Sequence, residues 1–147
     1  MSKSKFFLGL ILAAAAPLAH AADCAIDVTG DDALKFNTKE IKVPATCKEF
    51  TINLTHTGKM PAASMGHNVV ITKTSDLDAV AKDGATAKPD HVKPNDARVI
   101  AFTKIIGGGE KTSVTFDTAK LEAGGDYSFF CSFTGHWMIM KGKIVKA

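Results

Sequence analysis

Beyond its first two dozen residues the chain has no long apolar run, so nothing in the remainder is built to cross a bilayer as a helix. It also lacks a basic cluster. Its lysines are scattered, which removes the electrostatic footprint of a nucleic-acid binder. Internal repeats, low-complexity tracts and linkers are missing too, which leaves one domain. Cysteine is scarce: three residues in 147, an odd number.

What is present begins with MSKSKFFLGLILAAAAPLAHAADC. Lys3 and Lys5 form a positive start, Phe6 to Ala16 is apolar but short, and Ala19-His20-Ala21 is a small-x-small cleavage site. This pattern predicts a secretory signal peptide over residues 1–21 and a folded domain over 22–147. The short apolar stretch and the clean cleavage site argue against an uncleaved anchor. Without Lys3 and Lys5 the 18 basic residues become 16 against 15 acidic ones, a net charge of +1. Export implies an oxidising compartment, where two of three cysteines can pair. Three pairings are possible. The simplest joins Cys24 to Cys47 and leaves Cys131 over, a thiol that then needs an explanation.

The folded part is expected to be mostly β. Phe50-Thr-Ile-Asn-Leu-Thr55 alternates apolar and polar residues, the period of a half-buried strand. Residues 25–28, 69–72, 98–103, 113–116, 126–132 and 142–145 have similar character, with Gly107-Gly108-Gly109 and Gly124-Gly125 as turns. Short antiparallel strands in one domain predict an all-β sandwich or barrel. One segment differs. Ser75 to Lys82 is expected to be a short helical insertion, with Ser75 as its cap, Asp78 in its first turn and Gly84 as its stop. An irregular loop through Pro89 and Pro94 follows.

The chemistry concentrates in Cys131-Ser-Phe-Thr-Gly-His136-Trp-Met-Ile-Met140. A thiolate, an imidazole and a thioether lie at spacing C-x4-H-x3-M, and Gly135 permits a turn that folds them around one point. A second histidine, His67, stands far away in Met-Gly-His-Asn. Two imidazoles, a thiolate and a weak thioether match the donor set of a blue copper site. Such a set suits Cu(I) and Cu(II) moderately well, so an electron can come or go with little movement. Taken singly, each residue is explained by packing or solvation. Together on one tight loop, with a thiol spared from pairing, they are not.

On these residues the chain resembles the azurins, within the cupredoxin family of type 1 blue copper proteins. The matching pieces are Met65-Gly66-His67-Asn68, Arg98-Val-Ile-Ala101, Gly109-Glu110-Lys111, Ser113-Val-Thr-Phe-Asp117, Phe130-Cys131, Gly135-His136 and Met140-Lys-Gly142. The resemblance implies a Greek-key, cupredoxin-like β-sandwich binding one copper. His67, Cys131 and His136 would be equatorial ligands, Met140 a weak axial one, and the Gly66 carbonyl would approach from the opposite side. Asn68 and Phe133 would donate backbone N–H bonds to the sulfur. The resemblance also implies a Cys24–Cys47 disulfide and an apolar partner patch of Leu34, Met65, Gly135 and Ile139. The expected function is single-electron transfer in the periplasm between other electron-transfer proteins (c-type cytochromes or copper or haem reductases), without substrate turnover. Neither nucleic-acid binding nor membrane insertion of the mature chain is expected.

Departures from the azurin pattern are informative. Ser64 takes a patch position that is often apolar. Thr134 replaces a frequent proline and is expected to loosen the ligand loop. Trp137 directly follows His136, as a shield for the metal edge or a docking surface. Phe102 stands where some azurins carry a surface histidine. His56 matches a buried histidine near the site, and His91 is expected to be solvated in its Pro-flanked loop. Two rival functions fit less well. A thiol enzyme using Cys131 and His136 leaves Met140 and His67 without roles. Structural zinc has little use for an axial thioether.

Overall fold

The computed structural model describes residues 23–147, so the expected leader, residues 1–21, lies outside the described residues. Eight strands form two sheets. The smaller contains β1 (Ala25–Gly30), β3 (Glu49–His56) and β6 (Lys111–Asp117), in the order β1-β3-β6. The larger contains β2 (Glu40–Val43), β8 (Lys141–Lys146), β7 (Tyr127–Phe130), β4 (Val70–Lys73) and β5 (Ala101–Phe102), in the order β2-β8-β7-β4-β5. The two sheets face each other as a sandwich and do not close into a barrel.

The alternation of β3 does what its sequence implies. Phe50, Ile52 and Leu54 are buried between the sheets, while Thr51, Asn53 and Thr55 face outward in part. They pack with Val28 of β1, Ile41 of β2 and Phe129 of β7. Strand β7 is buried at every position. Phe129 points into the sandwich, whereas Phe130 points to the other face and packs with Val70, Leu77, Val80 and Ala81. A strand buried on both faces needs a cover on its outer side. That cover is the helix α2 (Leu77–Gly84), which places Leu77, Val80 and Ala81 on one stripe. A second short helix, α1 (Ala62–Met65), precedes the site.

Several sequence expectations need correction. Two pairings are parallel, β1 with β3 and β2 with β8, so the sheets are mixed. Strand β2 was not anticipated. It is a four-residue edge strand whose Glu40 and Lys42 face solvent, a charge pattern that suits an edge but weakens the strand signal. The expected strand over 98–103 shrinks to Ala101–Phe102. Arg98 is instead held by Asp96 and Asp83, each within 2.6 Å of its Nη2. Ser75 caps nothing. It lies in a 3-10 turn, Thr74–Asp76, that leads into α2, and Gly84 is the last helical residue rather than a stop beyond it. Cys24 and Cys47 are joined, tying the start of β1 to the approach to β3, and Cys131 is the free, buried thiol. Among the described residues no helix is long and apolar enough to cross a membrane.

Candidate metal centre

The sandwich ends in a cluster of loops, and four separate stretches meet there. Cys131 follows β7 directly and is fully buried. Its N–H donates to the Met140 carbonyl at 3.0 Å, and the Met140 N–H donates to the His136 carbonyl at 2.8 Å. The ten-residue stretch from Cys131 to Met140 is thereby closed on itself by its own backbone. His136 opens a 3-10 turn, His136–Met138, that brings its ring back over the cysteine.

His67 arrives from the other side. Its N–H and C=O pair with Ile106, at 3.0 and 2.9 Å. Its Nε2 lies 2.8 Å from the Asp31 carbonyl. A carbonyl only accepts, so Nε2 carries the proton and Nδ1 presents a lone pair. That Nδ1 lies 3.8 Å from Cys131 Sγ, and His136 Nδ1 lies 3.6 Å from the same sulfur. All three donor atoms fall within 4.8 Å of one another. The Gly66 carbonyl lies 3.7 Å from the sulfur. Glycine is required there, because a Cβ would sit 2.5 Å from the Ile105 side chain and 2.6 Å from the Ala62 carbonyl. Met140 is fully buried, and its terminal methyl and the His67 ring both flank Gly30.

The surroundings set the proton inventory. Burial pushes the Cys131 thiol up to about 12, opposed by hydrogen bonds from the backbone N–H groups of Asn68 and Phe133. Burial pulls His136 down to about 4, and the neighbouring His67 adds to this. Burial also holds His67 below the ordinary imidazole range. Near neutral pH the three donors therefore hold two available nitrogen lone pairs and one thiol proton. Two soft or borderline nitrogens and a sulfur, buried and convergent, fit a cation that can displace that proton.

The other residues singled out in the sequence take definite places. The Asn68 side chain accepts from the Ser132 N–H at 2.8 Å and donates to Ser132 Oγ and the Asp90 carbonyl, so it locks the strand end that carries Cys131. His56 is buried with its ring stacked on His67, centroids 4.3 Å apart. It donates from Nε2 to the Met65 carbonyl and accepts at Nδ1 from the Gly58 N–H. Trp137 is partly buried against the cluster of Val70, Leu77, Val80, Ala81, Val92 and Phe130, on the helix-covered side of the sheet. Gly135 and Ile139 are exposed, and Leu34 and Met65 are half-buried. Met138, which lies outside the expected patch, is the most exposed large apolar side chain here at 68 %, next to Ile139 at 54 %. His91 is buried, not solvated. A surface groove of about 700 Å³ lies among Val92, Val99, Phe102 and Lys120, and none of the three donors lines it.

The family model described as copper binding proteins, plastocyanin/azurin family, matches residues 22–146. The chain belongs to this family. It is 62% identical over 123 residues to an azurin from Alcaligenes faecalis, covering 82% of this chain and 96% of that protein. It is 58% identical over 125 residues to outer membrane protein H.8 of Neisseria gonorrhoeae, covering 84% of this chain and 68% of that one. Its fold is similar to the solved azurin Az-iso2 of Methylomonas sp. strain J, with a TM-score of 0.82, 48% identity, and 86% and 99% of the two chains covered. As a plastocyanin/azurin family member the protein is a copper binder, and among the described residues His67, Cys131 and His136 form a buried group able to take the ion.

Proposed function

We propose that this protein carries single electrons at one copper, which His67, Cys131 and His136 would hold, with Met140 and the Gly66 carbonyl as weaker donors beside them. The observation that carries the reading is the approach of both imidazole Nδ1 atoms to one buried sulfur, at 3.8 and 3.6 Å. Copper supplies a one-electron couple. The protein's residues supply rigidity and access. The Asp31 carbonyl keeps the His67 lone pair aimed inward, Asn68 keeps the cysteine end of β7 in place, and the sandwich behind them resists rearrangement when charge changes. His136 retains 6 % exposure, whereas Cys131, His67 and Met140 retain none. Electrons therefore enter and leave at the His136 edge. Gly135, Met138 and Ile139 around it let a redox partner approach closely and exclude water.

A leader over residues 1–21 would deliver the chain to the periplasm, where c-type cytochromes or copper or haem reductases are the partners this chemistry suits. The Cys24–Cys47 disulfide supports an oxidising compartment. So does the name of the H.8 relative, an outer membrane protein. A thiol enzyme remains disfavoured, because the sulfur is fully buried and its proton is held tightly.

The direct test is colour. Adding one equivalent of Cu(II) to the metal-free protein is expected to produce an intense blue, from charge transfer between the Cys131 sulfur and the metal, bleached by ascorbate and restored by oxidation. Zinc is expected to bind without colour. A colourless copper complex would overturn the reading. A second expectation follows from the proton inventory. With His136 and His67 already deprotonated and the thiol still protonated, binding should release about one proton per copper. Affinity should then rise about tenfold per pH unit between about pH 7 and 8. Calorimetry in buffers of different ionisation enthalpy measures the proton count, and a value near zero would contradict the protonated thiol.

A further inference from the structure

Residues 133–136 make a tight turn. The His136 N–H donates to the Phe133 carbonyl at 2.9 Å, and Gly135 sits at φ 84°, ψ −17°. Those angles are the third position of a type II turn, which needs glycine, and the second position is best filled by proline with its φ already set. Here the second position is Thr134. Nothing in its covalent structure restrains the turn that delivers His136.

The restraint comes from outside. The Thr134 hydroxyl lies 3.3 Å from the Ala85 carbonyl, which can only accept, and 3.4 Å from His91 Nδ1. The other ring nitrogen of His91, Nε2, lies 3.0 Å from Lys88 Nζ. An ammonium only donates, so Nε2 accepts and Nδ1 carries the proton, which faces both the Thr134 oxygen and the Ala85 carbonyl and ties the three groups together. The same imidazole packs on Phe133, centroids 5.0 Å apart, and Phe133 packs on His136 at 4.6 Å. His91 thus touches both residues that precede Gly135 in the turn. It does so while buried and at φ 53°, a conformation unfavourable for a residue with a Cβ. The expected loosening of the loop by Thr134 is therefore answered by a second loop.

We propose that His91 is a positioning residue for the metal centre. Through Thr134 and Phe133 it sets the angle of the His136 imidazole, doing from a neighbouring loop what a proline at position 134 would do from within. The inference rests on the copper reading for its metal readout and on the turn alone for its metal-free readout.

Three variants test it: His91→Phe keeps a ring against Phe133 but loses the Nδ1 donor, Thr134→Val keeps the shape but loses the hydroxyl, and His91→Phe/Thr134→Pro restores the turn internally. In the metal-free protein, exchange of the His136 amide hydrogen should quicken about tenfold in each single variant. Copper affinity should weaken about tenfold, at the low end for loss of a residue supporting a ligand, with a changed copper hyperfine splitting in the electron spin resonance spectrum. The proline double variant should regain wild-type exchange and affinity. Unchanged exchange and affinity in His91→Phe, whatever Thr134→Val does, or a double variant as impaired as His91→Phe alone, would overturn the proposal. Failure of the wild-type protein to bind copper would instead refute the reading beneath it.

Discussion

Cys131→Ser is expected to abolish the blue colour completely and to lower copper affinity by several orders of magnitude, measured by absorption and by competition with a chelator. Serine matches the thiol in shape, so the loop from 131 to 140 keeps its backbone bonds to Met140 and His136. What disappears is the soft, easily oxidised donor. An alkoxide is not available near neutral pH, and the hydroxyl has no low-energy charge transfer to the metal. The fold should survive. Burying a hydroxyl costs about 1–3 kcal/mol when unpaired, and here the Gly66 carbonyl stands ready to accept from it. A folded serine variant that stays blue would remove Cys131 from the ligand set. A variant that loses metal only because it unfolds is recognised by its circular dichroism.

The second large effect is expected at the opposite end of the sandwich. Replacing both Cys24 and Cys47 by alanine should lower stability by about 3 kcal/mol, because the bridge closes a loop of sequence separation 23 and that constraint on the unfolded chain is lost. Urea unfolding of the metal-free protein gives the difference directly. The double variant is preferable to either single one, since a single leaves a new thiol beside an apolar core. The visible spectrum should remain unchanged, as the bridge joins the start of β1 to the approach to β3 and touches none of the donor residues. A loss below about 1 kcal/mol would mean that the unfolded chain gains little freedom from the missing link.

Both effects were within reach of sequence reasoning, for different reasons. The C-x4-H-x3-M loop is legible because its three donors lie within ten consecutive residues, so local geometry alone brings them together. Cys24 and Cys47 are legible through cysteine arithmetic and resemblance, although arithmetic left three pairings open. His67 is harder. It stands 64 residues from Cys131, so spacing does not bring it to the loop, and it is legible only through the donor set's need for a second imidazole and through resemblance.

Other features had no signal. The Asp31 carbonyl that orients His67 is a backbone atom, and every residue carries one. Strand β2 was missed because a short edge strand with charged outward positions looks like a loop. The parallel pairing of β1 with β3 was missed because neighbouring strands are joined across long connections that local alternation does not describe.

What the sequence determined by itself was chemistry and local shape: a thiol without a partner, donors at turn spacing, strands with one apolar face, and a helix stripe. These follow from residue type and period, which a linear pattern carries in full. What only the tertiary structure decided was which distant groups stand beside them. His91 and Thr134 are 43 residues apart, and neither looks unusual alone. Their contact exists because α2 and the loop after it lie across the outer face of β4 and β7, where Val70 and Phe130 had to be covered. Burial of that apolar face fixes the loop, and the loop in turn fixes the imidazole beside the metal centre.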